Sequence, residues 1–573
     1  MPVEESAETE TAQLMRNKMN RPRFFALLCV PSHAAFFNSR KGLVVLFIIL
    51  LSCVQNQATV WVASPWQRVL RDTAPGPCRE VNIQVAANEY EPFRLIIRAG
   101  ARPLKNVNVT VGPLAAGHAV ISAEQVELFR AHYLHIAQPS PGARNPAGWY
   151  PDALIPFQAA QQKSDASYIA APFSVAPGEN AEVWCDLYVP PGTAPGVYSG
   201  TAVVGSNGVH LETVPIKVTV WDFTLPQDIA LRSHFGPLYR EAAELMGLQP
   251  DTKEFHAMEH LYNQALLKHR AVPATPGSIW PHWDTQRGLV DQGESERIRQ
   301  LVEQEHFNAL DVPLRYQEEP EKCRAYLAAV AAWLRELGYL EKAYVYLEDE
   351  PNDAGEYELV RRQGALIHSA DSGLARLCTE QTIPSQADWG DLYGAVDIWC
   401  PLWGLWDDAS AKQRLAKGEQ LWSYTALCQG SEATPWWQID MEPVHFRAPL
   451  WISWNLHISG FLYWSSVAYK GHRSLQEVWE APTYRGHFWG EGVMLYPGAP
   501  AGVYGFVPSI RLKLFREAAE DYEYMALAAA KGKREDVDRI VAGVAASFQQ
   551  WNHDPAAYEQ ARGRLAKLIV EQR

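Results

Sequence analysis

Cysteine is scarce, with eight residues in a chain of 573 and no C-x-x-C spacing. That removes support for a disulfide scaffold, a zinc ribbon or a dithiol redox centre. Long apolar runs are also lacking. The longest, Leu43–Val54 (LVVLFIILLSCV), falls well short of the roughly 20 residues needed to span a bilayer. Cations are in deficit: 51 Lys and Arg against 65 Asp and Glu leave a net charge of −14, which argues against a nucleic-acid backbone as the main partner. No G-x-S-x-G, P-loop or G-x-G-x-x-G is present, so those reaction classes have no local support. Internal repeats and low-complexity linkers are missing too. What is abundant is tryptophan: 21 residues, 12 of them between Trp389 and Trp489. Indoles fill large cores or stack on apolar ligand faces. With nucleic acid disfavoured, a sugar is the ligand class to test.

The run Leu43–Val54 follows Arg40 and Lys41 and matches the apolar region of a secretory signal. The long stretch before it fits a true start at Met19 or later. Leu50-Leu51-Ser52-Cys53 resembles a bacterial lipobox, which would lipidate Cys53; the alternatives are cleavage near Ala58 or an uncleaved anchor. Each version predicts an exported protein, whether periplasmic, extracellular or membrane-anchored. In that compartment Cys78 and Cys185 are able to pair, whereas Cys323, Cys378, Cys400 and Cys428 read as buried thiols.

Beyond a leader at 1–58, residues 59–226 show short period-2 runs between turn signals, such as Val81–Val85, Phe93–Ile97, Val107–Val111, Val183–Val189 and Val214–Val220. This pattern predicts an antiparallel β-sandwich, interrupted by a long loop over 139–171. From 227 to 530 the texture changes to alternating strands and helices. Strands are expected at 231–235, 271–273, 309–313, 343–347, 375–379, 395–400, 420–424 and 460–464, with helices including 253–269, 295–305, 320–337 and 354–369. Eight such units predict a (β/α)8 barrel. Residues 531–573 are expected to form a helical C-terminal extension.

Reactive groups in such barrels sit at the C-terminal ends of the strands. The fourth expected strand, Ala343–Leu347, runs into Glu348-Asp349-Glu350-Pro351. An acidic helix start is one reading of that run. A catalytic pair is the other: glycoside hydrolysis needs a carboxylic acid at the leaving oxygen and stabilisation of the anomeric centre. The seventh expected strand, Gln420–Tyr424, has no carboxylate at its C-terminal end, since Glu419 precedes it and Glu432 lies deep in the following loop. With Glu350 as acid, no protein nucleophile stands opposite, and a 2-acetamido group of the substrate can take that part.

These residues, with Ala87–Phe93, Gly148–Leu154, Val189–Gly200 and Val220–Pro226 in the sandwich, and Leu267–Arg270, Asp349–Pro351, Leu421–Thr425, Gly460–Trp464, Leu495–Gly498, Ser509–Leu512 and Glu520–Tyr524 beyond it, resemble glycoside hydrolase family 123, the β-N-acetylgalactosaminidase-like proteins. The chain departs from the family pattern at Glu348. The resemblance implies a sandwich followed by a catalytic barrel, and a retaining, exo-acting, acetamido-assisted β-N-acetylgalactosaminidase or β-N-acetylhexosaminidase. It implies Asp349 as the group that positions the acetamido and Glu350 as acid/base, with Tyr424 as a partner of the acetamido oxygen and Trp464 as the stacking floor. Trp422 and Trp399 are further candidates for the sugar. His269 and Arg270 are expected to reach sugar hydroxyls, with Arg270 equally suited to brace the acids. The implied partner is a glycan or glycolipid with a terminal N-acetylhexosamine; no cofactor and no metal are implied.

His256-Ala-Met-Glu-His260 fits an H-x-x-E-H spacing, but on an outer helix with no third ligand it reads as structural. Arg516-Glu517 and Glu520-Asp521 likewise read as part of a solvated or packing helix. Two rival readings are a glycosidase of this fold acting on another sugar, and a non-catalytic carbohydrate-binding surface protein.

Overall fold

The computed structural model describes residues 57–157, 166–427 and 433–571. The leader, the lipobox-like Cys53 and Cys428 lie outside the described residues. Among the described residues, no helix is long and apolar enough to cross a membrane.

The N-terminal part is a sandwich, as the period-2 pattern predicts. One sheet orders Thr59–Ala63, Glu89–Arg98, Asn180–Val189, Val126–Ile136 and Gly148–Pro156, all antiparallel. The facing sheet orders Val81–Ala87, Val209–Thr224, Gly196–Ser206, Leu104–Val111 and Phe173–Val175. Its edge strand Val81–Ala87 runs parallel to its neighbour, the one departure from the antiparallel expectation in these two ladders. Between the sheets lie Val85, Leu95, Ile97, Val183, Cys185, Leu187, Val204 and Val218. Alternation along Asn180–Val189 sends Val183, Cys185 and Leu187 into that core and Trp184 and Asp186 to the other face. The expected 139–171 loop contains the strand Gly148–Pro156. Its first part does reach across the molecule, where Ser140 N–H donates to Asp440 Oδ2 at 2.6 Å. Cys78 and Cys185 are unpaired: Cys78 is at the surface and Cys185 is buried in the sandwich core.

The second half is built on a seven-stranded parallel sheet ordered Arg232–Phe235, Gly460–Tyr463, Gln420–Thr425, Ile398–Trp399, Ala375–Cys378, Ala343–Tyr346 and Leu310–Asp311. Among the described residues an eight-stranded ladder is not formed. The expected strand 271–273 contributes only the isolated bridge Phe235–Pro273, because a proline cannot donate to a ladder. The helices Lys253–Leu267, Pro320–Leu337 and Ala354–Ala370 fall where the 3.6-residue pattern puts them. The expected 295–305 helix is regular over Glu294–Arg299 and then widens to a π-helical turn over Gln300–Gln304. Inside the sheet's curve pack Tyr344, Leu377, Ile398, Leu402, Trp422, Tyr424 and Leu462.

The helix Ile510–Ala528 runs between the sandwich and the sheet, and Phe515 meets Phe235 at 5.0 Å between ring centroids. This helix is buried on every side, charges included. Lys513 and Arg516 both bind Asp186, at 2.6 and 2.7 Å. Arg511 binds Asp152 at 2.9 Å, and Asp521 binds Arg447 at 2.6 Å. The C-terminal helix Pro555–Val570 adds Arg562, which pairs with Glu89 and Glu91.

Candidate active site

The strand Ala343–Tyr346 ends in the acidic run, and the ladder continues one step further, with Leu347 N–H donating to Leu377 O at 2.8 Å. The acids after it do not begin the next helix. That helix starts at Ala354 and is capped by Asp353, whose carboxylate accepts from the N–H groups of Gly355 and Glu356. Asp349 and Glu350 are therefore free of a capping task, and both are exposed.

They differ in their surroundings. Asp349 Oδ1 accepts two hydroxyl hydrogen bonds, from Tyr346 at 2.6 Å and Thr379 at 2.9 Å. Among the described residues, its Oδ2 has no hydrogen-bond partner in the protein. Burial and the neighbouring Asp349 charge push the Tyr346 phenol well above its ordinary value, so it remains an O–H donor. Glu350 has φ +48°, a left-handed conformation that costs a non-glycine residue on the order of 1–3 kcal/mol. Its N–H donates to Thr379 Oγ1 at 3.0 Å, and its carboxylate accepts from the hydroxyl of Tyr424, on the strand Gln420–Thr425. Among the described residues, neither acid is in an ion pair.

The surrounding groups extend this polar patch. His234, on the strand Arg232–Phe235, contacts the Tyr344 hydroxyl through Nδ1 at 2.6 Å. Burial lowers its imidazole to about 4, against the opposing pull of Asp349, so at neutral pH it is uncharged. Tyr239 donates to the Trp464 carbonyl at 2.7 Å. Its phenol is pushed up to about 12, first by burial and then by the charges of Asp349 and Glu241. The Trp464 indole is half-buried. Its Nε1 donates at 2.7 Å to buried Glu491, whose other oxygen accepts from Gln438 at 2.9 Å. Burial raises Glu491 to about 7. Gly492, at φ +70°, lies so close that an added Cβ would come within 2.5 Å of the Trp464 ring. Glu380, also raised to about 7 by burial, is bound by Tyr357 and Ser385 and feels Glu350 as a smaller influence.

Asp349, Glu350, Tyr424 and Trp464 thus gather at one edge of the sheet. The other four candidates do not join them. Trp422 is two residues nearer the start of its strand than Tyr424, on the same face and some 6–7 Å deeper. It is fully buried against Tyr344 and Gly460, where any Cβ would sit 2.2 Å from the indole. Trp399 is buried in the shell between sheet and helices, its Nε1 on Glu419 at 2.5 Å. His269 is buried and donates from Nδ1 to Ala265 O at 2.6 Å. Arg270 faces Glu520 and Glu523 at 3.6 and 3.8 Å, near the sandwich. Both precede the bridge residue Pro273 and so lie at the opposite end from the acids. His256 is 3.5 Å from Glu259 on its own helix, and no cluster of potential metal ligands occurs among the described residues.

Tyr346, Thr379, Tyr239, His234 and Glu491 belong to the site but carry no local motif. Only the position of Tyr346 and Thr379 at the ends of two adjacent strands hints at it.

Two carboxylates with no ion-pair partner among the described residues, at the C-terminal edge of a parallel sheet with flanking helices, are an arrangement that glycoside hydrolysis can use. Residues 280–528 match the family model described as "Glycoside hydrolase 123, catalytic domain". The match spans Asp349, Glu350, Tyr424, Trp464 and Glu491 and begins after His234 and Tyr239. Among solved structures, the chain is similar to a family 123 glycoside hydrolase from Clostridium perfringens, studied for glycolipid glycan hydrolysis. The TM-score is 0.64 at 14% identity over 90% of this chain and 98% of the other, a likeness of fold. A family 39 glycoside hydrolase from Bacteroides cellulosilyticus WH2 has a TM-score of 0.32 at 10% identity, covering 77% and 82% of the two chains, and shares too little of the fold to bear on this one. A search of curated proteins finds no match.

Proposed function

We propose that the protein is a retaining, exo-acting β-N-acetylgalactosaminidase or β-N-acetylhexosaminidase that uses the substrate's own 2-acetamido group as nucleophile. The observation that carries this reading is the asymmetry of the two adjacent acids. Asp349 has one oxygen occupied by two hydroxyl donors and the other open to a substrate N–H. Glu350, against the Tyr424 hydroxyl, is placed to exchange a proton with the leaving oxygen and then with water. The strand that carries Tyr424 has no carboxylate from Gln420 to Leu427, so a two-carboxylate displacement lacks its second partner there.

In the first step the acetamido oxygen attacks C1, the glycosidic C–O bond breaks, and Glu350 gives its proton to the departing alcohol. Asp349 accepts a hydrogen bond from the acetamido N–H, which bears positive charge in the resulting oxazolinium. In the second step Glu350 takes a proton from water as water adds to C1, and the acetamido group is released. Trp464 supplies the apolar floor for the ring.

Residues 227–530 act as the catalytic unit in this reading, a (β/α)8 barrel whose second position is held by the Phe235–Pro273 bridge and by Thr275, which accepts the Asp311 N–H at 2.8 Å. Glycolipid glycan hydrolysis by the C. perfringens protein supports a glycan or glycolipid substrate, and the apolar run Leu43–Val54 fits an exported enzyme that meets it. Proton NMR of a reaction in progress tests the mechanism. The β-anomer of the free N-acetylhexosamine is expected first, with inhibition by the sugar-fused thiazoline that mimics the oxazolinium; the α-anomer appearing first would rule the mechanism out.

A further inference from the structure

We propose that the Thr379 hydroxyl is the positioning group that holds both acids in working geometry, an inference that rests on the roles of Asp349 and Glu350 given above. Thr379 follows the strand Ala375–Cys378 and is 2% exposed. A hydroxyl has one proton to give and two lone pairs to receive. Here the proton goes to Asp349 Oδ1 at 2.9 Å, while a lone pair takes the Glu350 N–H at 3.0 Å. The Tyr346 hydroxyl, 3.1 Å from the same oxygen, completes the triangle on Asp349. One atom on the neighbouring strand is thereby tied to the side chain of one acid and the backbone of the next.

This tie has two consequences. Successive side chains on extended backbone point to opposite faces, which would separate Asp349 from Glu350. Glu350 instead turns through φ +48° and meets Tyr424 on another strand. That turn needs an anchor, and the Glu350 N–H on Thr379 supplies one. The second consequence concerns Asp349: with Oδ1 committed to two hydroxyls, its carboxylate plane is fixed and Oδ2 is reserved for the ligand. Thr379 touches neither substrate nor leaving group in this arrangement, so it acts through the two acids alone.

The test compares Thr379→Val, which keeps the shape and deletes the hydroxyl, with Thr379→Ser, which keeps the hydroxyl. Crystal structures of both are paired with kcat and KM on nitrophenyl β-N-acetylgalactosaminide. In the valine variant, Glu350 is expected to leave the left-handed region and lose Tyr424. Its kcat is expected to fall about 100-fold, as misplacement by about 1 Å does, while KM moves less than about threefold. Serine is expected to restore both geometry and rate to within a few-fold. The pair Thr379→Ala and Thr379→Ser, differing by one oxygen, gives the same comparison if valine is not accepted by the fold. An unmoved Glu350 and Asp349 in the hydroxyl-free variants, or equal loss of kcat with serine, overturns the positioning role. If the wild-type enzyme cleaves no N-acetylhexosaminide and yet the hydroxyl-free variants release Glu350, the catalytic reading fails while the positioning role stands.

Discussion

Asp186 and Asp349 are both strand-borne aspartates held by hydrogen bonds, and they show what this chain does with charge in two places. Asp186 is fully buried between the sandwich and the helix Ile510–Ala528, where Lys513 and both terminal nitrogens of Arg516 reach it at 2.6 to 2.8 Å. Those cations hold its carboxyl well below the ordinary range despite the cost of burial. Asp349 is exposed and held only by neutral hydroxyls, with no cation in ion-pair contact among the described residues. The first arrangement leaves nothing unpaired and fixes how two layers dock. The second leaves an oxygen and a neighbouring acid free to meet a ligand. Buried pairs are weak sources of net stability but severe liabilities once one partner is removed.

Breaking the buried side of this comparison gives the largest effect on stability. Asp186→Ala strands buried Lys513 without its counter-ion and leaves Arg516 only Glu517, at 2.8 Å, and Glu520, at 3.8 Å, and is expected to cost about 3–5 kcal/mol in urea unfolding. A loss below about 1 kcal/mol would mean that the interface charges are solvated and that the contrast is false. At the exposed site the effects invert. Asp349→Asn and Glu350→Gln are expected to leave unfolding within about 0.5 kcal/mol of wild type while lowering kcat by about 10²- to 10⁴-fold. Trp464→Ala is a smaller change, an increase in KM of about tenfold through the lost stacking surface.

The weakest effect is one of pH. Glu491 is raised to about 7 by burial, so the folded state holds its proton more tightly than the unfolded chain does. Its contribution is present below the ordinary glutamate value and is lost as pH rises through about 7. The melting temperature is therefore expected to slope downward over that window, and Glu491→Gln to make the slope shallower, since Glu380, Asp311 and Glu523, also raised to about 7 by burial, keep their share. An unchanged slope in the variant would remove Glu491 from the groups that carry it.

How much of this was legible in the sequence follows from what each signal reports. Alternation and 3.6-residue spacing gave the sandwich, the parallel order and the span of Pro320–Leu337, because those periods follow from which face is buried. The strand expected at 271–273 was lost to Pro273. The acid run was legible from its place after an apolar strand, and the Asp353 cap separates it from the helix that follows. His269 and Arg270 were misplaced because they open their segment, and a residue that opens a strand lies at the edge opposite the site. Trp399 and Trp422 show that indole abundance reports volume as readily as recognition: both are 1% exposed or less. The run Arg516-Glu517 and Glu520-Asp521 reads in sequence as part of a solvated or packing helix without its ion pairs, since the partners of Arg516 and Asp521, Asp186 and Arg447, lie 330 and 74 residues away along the chain.

Whether Asp349 and Glu350 work together on a sugar whose acetamido group takes part is decided by a paired assay. Wild type, Asp349→Asn and Glu350→Gln are each incubated with nitrophenyl β-N-acetylgalactosaminide and with nitrophenyl β-galactoside. Turnover of the acetamido sugar alone is expected, with a loss of about 100-fold or more in both variants. Equal turnover of the plain galactoside, or full activity in both variants, would contradict it.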